Sequence, residues 1–268
     1  MFNNVKKIYP LIVSTDNRKL FNNELQFDKY LIFNNGFYIK HQEHVLYLTC
    51  NTSNFLPFSV VLSEGEYKEI LEAFNRSNKL KLLLSTSNSQ VIPCKQEKIT
   101  NVSSELIYNL IYCIEECLKF EEEKCIIYDV LLMLLCYNRD KNQEKTEEYI
   151  TQLIGMGEGL TPAFDDLLIG LLWTFDAFYN KYNIFKNAIQ LGLKKRDTTS
   201  VSNAFYFHAF GNHYSYSLVK LGEAVRNQNF SGMKDAIHEI KCYGHTSGRY
   251  LLYGIFIGLN IINSDNIF

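Results

Sequence analysis

The sequence predicts an α+β protein: an N-terminal β-rich barrel or twisted sheet over residues 1–97, then an all-helical domain over residues 98–268. Three observations predict it. Short apolar and β-branched runs separated by turn signals fill the first region. From Val102 onward the apolar spacing becomes helical. Twelve of the 14 glycines lie after residue 150, so the two regions make different demands on the backbone.

Val5–Val13 opens with strand-forming residues. Tyr30–Phe33 and Phe37–Lys40 flank Asn34-Asn35-Gly36, a hairpin signal. Glu43–Cys50 and Phe58–Leu62 continue the strands, and Lys79–Ser85 and Gln90–Cys94 close them. Gly65–Arg76 is an amphipathic helix with Tyr67, Ile70, Leu71 and Phe74 on one face. In the second region Leu106, Leu110, Ile111, Ile114 and Leu118 form one stripe. Ile126–Cys136 is a more buried helix, and Glu147–Ile154 is another. Helices follow at 163–181, 183–195, 200–227 (broken near Gly211), 231–242 and 248–263. The Asp140–Glu148 charge run reads as a solvated connection and first turn.

Composition narrows the function. A formal net charge of −2, with no stripe of basic and aromatic residues, argues against nucleic-acid binding. No apolar run reaches the roughly 20 residues needed to span a bilayer. Seven cysteines lack zinc-ligand spacing and read as reduced thiols, and no secretory leader is evident. The expected location is the cytoplasm, without a membrane partner.

The most informative stretch is Gly155-Met156-Gly157-Glu158-Gly159-Leu160-Thr161-Pro162-Ala163-Phe164-Asp165-Asp166. Gly155, Gly157 and Gly159 supply a backbone that turns freely and approaches a ligand closely. Thr161 suits an N-cap and Pro162 the first helical position. A glycine loop feeding a helix start presents N–H groups and a positive dipole end, which favours an anion. Asp165 and Asp166 fall in the first turn, where carboxylates complement the dipole. They are also the candidate ligands for a divalent cation such as Mg²⁺. There is no Walker A ending, and helix rather than strand precedes Gly155.

Two more helix starts have the same chemistry. Arg196-Asp197-Thr198-Thr199-Ser200-Val201-Ser202 contributes Thr198, Thr199 and Ser202. Gly244-His245-Thr246-Ser247-Gly248-Arg249 contributes Thr246, Ser247, Gly248 and Arg249. Several helix starts aimed at one point would hold a phosphate or carboxylate, with Arg249 adding charge-assisted bonds. His245 is the histidine placed for acid–base work, beside Asp165 and Asp166. Each feature also has a plain structural reading. The threonines and Ser247 fit ordinary caps, Gly254 and Gly258 fit close helix approach, and Trp173 fits the core.

At these residues the chain resembles the AllH-type family. Gly155 through Gly170 reads as its signature Gly-x-Gly-x-Gly-Leu-Thr-Pro-x-x-Asp-Asp-x-Leu-x-Gly. Thr198-Thr199-x-x-Ser202 and Gly244-His245-Thr246-Ser247-Gly248 are similar to its second and third motifs. The family usually has Ser-Gly where this chain has Ala163-Phe164. The resemblance implies a subunit of an oxamate carbamoyltransferase that works with partner subunits in anaerobic allantoin breakdown. That reaction exchanges a carbamoyl group between oxalurate and phosphate, giving oxamate and carbamoyl phosphate. The expected ligand is therefore carbamoyl phosphate, phosphate or an oxalurate-like anion. Two other readings remain open: a noncatalytic anion-binding scaffold or regulatory subunit, and a stand-alone metal-dependent phosphoryl-transfer enzyme.

Overall fold

A computed structural model describes residues 5–14, 20–33, 36–52, 55–100, 102–119, 124–178 and 183–265. The architecture is α+β, as the sequence predicts. The chain divides into two compact units, one formed by Met1–Cys94 with His213–Tyr216, the other by Lys95–Asn212 with Ser217–Phe268.

The first unit contains β1 (Lys6–Ile8), β2 (Ile12–Ser14), β3 (Glu24–Phe33), β4 (Gly36–His41), β5 (His44–Thr49), β6 (Ser59–Val61), α1 (Glu64–Arg76), β7 (Lys79–Leu84) and β8 (Gln90–Ile92). They form one sheet in the order β1-β7-β3-β4-β5-β6-β2-β8. That order forces curvature. On a flat sheet β1 and β2 would stand six strand spacings apart, about 29 Å. The link from Ile8 to Ile12 reaches at most about 14 Å. The sheet therefore curls until its ends approach, which settles the expectation of a barrel or twisted sheet as a curled half-barrel.

The expected single strand Val5–Val13 is two strands, interrupted around Pro10, because each half pairs with a different neighbour: β1 with β7, β2 with β6 and β8. The strand expected at Tyr30–Phe33 begins earlier, at Glu24, where polar residues alternate with Leu25 and Phe27 against β7. Asn34 and Asn35 of the expected turn lie outside the described residues. Phe33 and Gly36 pair across the hairpin. Helix α1 is N-capped by Ser63, whose hydroxyl accepts from the Glu66 N–H and donates to the Glu66 carboxylate at 3.0 Å. Its Ile70 and Phe74 join Phe27, Phe37, Leu46, Leu48 and Leu82 in the core.

The second unit is helical: α2 (Ser104–Leu118), α3 (Lys124–Arg139), α4 (Gln143–Leu153), α5 (Ala163–Phe178), α6 (Asn183–Lys195), α7 (Ser200–Phe210), α8 (Tyr216–Arg226), α9 (Phe230–Lys241) and α10 (Ser247–Asp265). The helix expected at 200–227 is indeed broken near Gly211, into α7 and α8. The expected last turn of α5, residues 179–181, lies outside the described residues.

The heart of this unit is the pair α5 and α10. Along α5 only Ala163 and Asp176 are not fully buried, and Leu251–Leu259 of α10 are buried throughout. Such all-round burial requires backbones that nearly touch. A Cβ on Gly254 would sit 1.9 Å from the Leu167 carbonyl oxygen, and one on Gly170 would sit 2.1 Å from that of Leu251. Gly254 and Gly258 thus serve close helix approach. Trp173 is core, with its indole N–H donated to Gln96 Oε1 at 2.9 Å. This packing matters for function because it holds the N-terminal ends of α5 and α10 side by side.

Candidate functional site

Three helix starts meet in the helical unit. The glycine loop turns through positive φ at Gly155 (67°), Gly157 (115°) and Gly159 (99°). At Gly157 a Cβ would stand 2.7 Å from the Ala163 nitrogen, so glycine is required there by both conformation and space. At Gly155 it would stand 2.9 Å from the Asp197 carbonyl oxygen, which brings the loop against the approach to α7. Around Gly159 a side chain would meet nothing, and Gly157, Glu158 and Gly159 are all exposed.

Asp165 is the junction. It is 1% exposed, and both carboxyl oxygens accept hydrogen bonds. The Gly155 N–H and the Tyr206 hydroxyl each donate to Oδ1 at 2.9 Å, and the Thr198 hydroxyl donates to Oδ2. One side chain thereby joins the glycine loop, the α5 start and the α7 start. Thr199 adds a second tie. Its hydroxyl caps α7 by accepting from the Ser202 N–H at 3.0 Å and donates to the Leu160 carbonyl at 2.5 Å.

The α10 start joins through Thr161, whose hydroxyl lies 2.9 Å from that of Ser247. Thr161 is therefore not the N-cap of α5, as its position suggested. Pro162 supplies the first helical carbonyl, accepting from Asp165 and Asp166, which frees the threonine hydroxyl to reach the neighbouring helix.

Asp166 has the opposite environment to Asp165. It is 4% exposed, and its Oδ2 has no hydrogen-bond partner among the described residues. Burial pushes its carboxyl up to about 8. The adjacent hydroxyls of Ser247 and Thr161 oppose that shift, and Asp165 reinforces it. Those two hydroxyls lie 2.9 Å from each other and also bond the Asp166 carboxyl, yet its Oδ2 is left without a partner among the described residues. The result is two neighbouring carboxyl groups with separate environments: Asp165 saturated by donors, Asp166 favouring the neutral acid. Tyr206, fully buried, has its phenol driven well above the ordinary value by burial and then by Asp165, so it remains a donor.

Several helix-start N–H groups turn inward instead of toward a ligand. Gly155 serves Asp165, Phe164 serves the Met156 carbonyl, and Gly248 serves the Tyr243 carbonyl. Gly248 also faces α9, where a Cβ would meet the Ile240 carbonyl oxygen at 1.9 Å; its contribution is to packing. Gly157, Glu158, Gly159 and Ala163 take no part in those bonds. His245 and Thr246 are exposed in the turn before α10. Arg249 reaches Tyr253, with Nη2 3.4 Å from its hydroxyl.

The Asp165 oxygens are engaged by three donors, so that carboxyl could hold a divalent cation only by giving up those bonds. Among the described residues no group of three or more His, Cys, Asp or Glu side chains gathers.

Sequence reasoning missed Tyr206. The available signal was spacing: Ser202 and Tyr206 are four apart on one side of α7, with Thr198 four residues earlier just before its N-cap.

Fold and site together define a class of chain that has a helical unit gathering three helix starts around two buried aspartates and also a curled-sheet unit. Residues 153–259 match the model of the AllH family, described as oxamate carbamoyltransferase subunit AllH. The matched segment contains all three loops, and the eight strands β1–β8 lie outside it. No curated protein and no solved structure gives a significant match. Among the described residues no helix is long and apolar enough to cross a membrane.

Proposed function

We propose that this chain is a subunit of an oxamate-type carbamoyltransferase complex and that its three joined helix starts bind the small anionic substrate. The carrying observation is the Asp165 junction, supported by the family match over the segment that contains it. A carboxyl group that accepts from Gly155, Thr198 and Tyr206 fixes the loop's entry while leaving the exposed tip, Gly157 to Gly159, open to a ligand. The sheet unit and the helical unit are then its two domains, with partner subunits completing the complex.

The chemistry divides between loop and acid. When a phosphate oxygen attacks the ureido carbon of oxalurate, a C–O bond forms and negative charge gathers on the carbonyl oxygen. N–H groups of the tip around Gly157 and Ala163 suit that charge; one such donor is typically worth about 3 kcal/mol. The C–N bond then breaks, and the oxamate nitrogen takes a proton. Asp166, kept largely neutral at pH 7 by burial, supplies it and regains one from the attacking phosphate. No proton is gained or lost overall. Thr161, Ser247, Thr199 and Ser202 position the groups around this centre, and Arg249 and His245 stand at the α10 side of the site.

The test uses the chain reconstituted with its partner subunits, assayed for carbamoyl phosphate formation from oxalurate and phosphate. Asp165→Asn and Gly157→Val should abolish turnover while circular dichroism stays helical. Wild-type turnover in both variants refutes the assignment. Loss of turnover together with intact phosphate and oxalurate binding in Asp166→Asn would place the chemistry in this chain. An unchanged rate in that variant would leave the chain an anion-binding scaffold.

A further inference from the structure

Helix α3 is apolar on two sides. Ile127, Val130, Leu131 and Leu134 form its buried side. Asp129, Leu132, Met133, Cys136 and Arg139 recur at helical spacing on the opposite side, and all are exposed. Single exposed apolar residues are ordinary, but a contiguous row of them marks a contact surface. The neighbouring α2 exposes Tyr108 and Tyr112 one turn apart; Tyr112 and Leu132 are each 58% exposed. The two helices approach where burial, and then Glu115 of α2, push the Tyr128 phenol of α3 up. The exposed row of α3 also has an order. A carboxylate, Asp129, stands at one end, Leu132, Met133 and Cys136 fill the middle, and the Arg139 guanidinium stands at the other end. Arg139 pairs with the adjacent Asp140 at 3.5 Å while both stay exposed, so it remains within reach of a second carboxylate.

We propose that this face of α3 is the interface of a homodimer, in which a second copy of the chain packs its own α3 antiparallel about a two-fold axis. The charge order singles out that occupant, because acid, apolar centre and base are complementary to their own reverse. Asp129 and Arg139 are ten residues apart, about 15 Å along the helix. With the axis at the level of Leu134, Asp129 of each copy faces Arg139 of the other. Leu132 then faces Cys136, and the two Met133 side chains meet near the axis. A two-fold interface makes every such contact twice, which is how one short helix face can specify a partner. Helix α3 precedes the family-matched segment 153–259, so this inference does not depend on the transferase reading.

Sedimentation equilibrium of the full-length chain at neutral pH and low salt tests this. Wild type should sediment as a dimer at micromolar concentration. Leu132→Glu, at a position exposed in the monomer, places two carboxylates in the apolar centre and should raise the dimer Kd at least about a hundredfold. Asp129→Arg and Arg139→Asp should each raise it about tenfold, because each reversal sets like charges face to face at both ends. Combining the two reversals exchanges the charges and should return Kd to within about threefold of wild type. If Leu132→Glu does not fold, the charge exchange decides. A wild-type chain that stays monomeric at high micromolar concentration overturns the proposal and leaves the face to a different protein. A dimer indifferent to Leu132→Glu and to the single reversals overturns it by placing the contact elsewhere. A dimer weakened by both reversals and not restored by their combination overturns the antiparallel pairing.

Discussion

Tyr206 donates its phenol to Asp165 Oδ1 at 2.9 Å, across 41 residues of sequence and wholly inside the helical unit. With the Gly155 and Thr198 donors, this bond makes one aspartate the meeting point of two helix starts and a loop. Removing the phenol hydroxyl leaves Oδ1 with the Gly155 N–H alone. Tyr206→Phe should therefore cost about 1–2 kcal/mol in urea unfolding at pH 7. A change under about 0.5 kcal/mol would mean the bond adds nothing to the junction.

Gly157 and Gly159 separate strain from collision. Both have positive φ, but only Gly157 faces backbone at clash distance. Gly157→Ala should destabilise the unit by roughly 2–3 kcal/mol and remove stabilisation by phosphate. Gly159→Ala should cost about 1 kcal/mol, mostly conformational. Thermal melts with and without phosphate compare them directly, and equal losses would count against the observed loop path.

Asp166 gives stability a pH signature. Its folded-state value, about 8, lies above the ordinary 3.8, so the folded protein holds a proton that the unfolded chain releases first. Below about pH 4 both states are protonated and no penalty exists. As pH rises to about 8 the penalty grows, reaching on the order of 5 kcal/mol, and it then levels off. The stability of wild type minus that of Asp166→Asn should fall across this window. A flat difference from pH 4 to 8 would show that Asp166 ionises normally in the fold.

Gly254 tests whether helix contact supports the site. Its missing Cβ admits the Leu167 carbonyl, and Leu167 directly follows Asp166. Gly254→Ala must part α5 from α10 and should cost about 3 kcal/mol in denaturant unfolding. Because the helices carry Thr161 and Ser247 at their starts, ligand-induced stabilisation should weaken as well. Full retention of both properties would mean the helices separate without consequence.

Much of this was legible in the residues. The change from strand-like to helical spacing marks the α+β organisation, and the break at Gly211 and the glycine-dependent loop follow local rules. Other features were hidden. The division of Val5–Val13 into β1 and β2 depends on partners some 50 to 80 residues away. The displacement of Thr161 from its capping role depends on Ser247, 86 residues distant.

By itself the sequence determined where most helices begin, α4 excepted, whose start at Gln143 precedes the expected Glu147, and which hydroxyls and carboxyls stand near those beginnings. These are properties of short segments, governed by backbone sterics and capping. Only the tertiary structure decided that the beginnings meet, that Tyr206 takes part, and that two adjacent aspartates live in unlike surroundings. Packing α5 against α7 and the glycine loop gives one carboxyl three donors, its α10 side buries the other with one oxygen unpartnered among the described residues, and burial of that kind arises only when distant segments close around it.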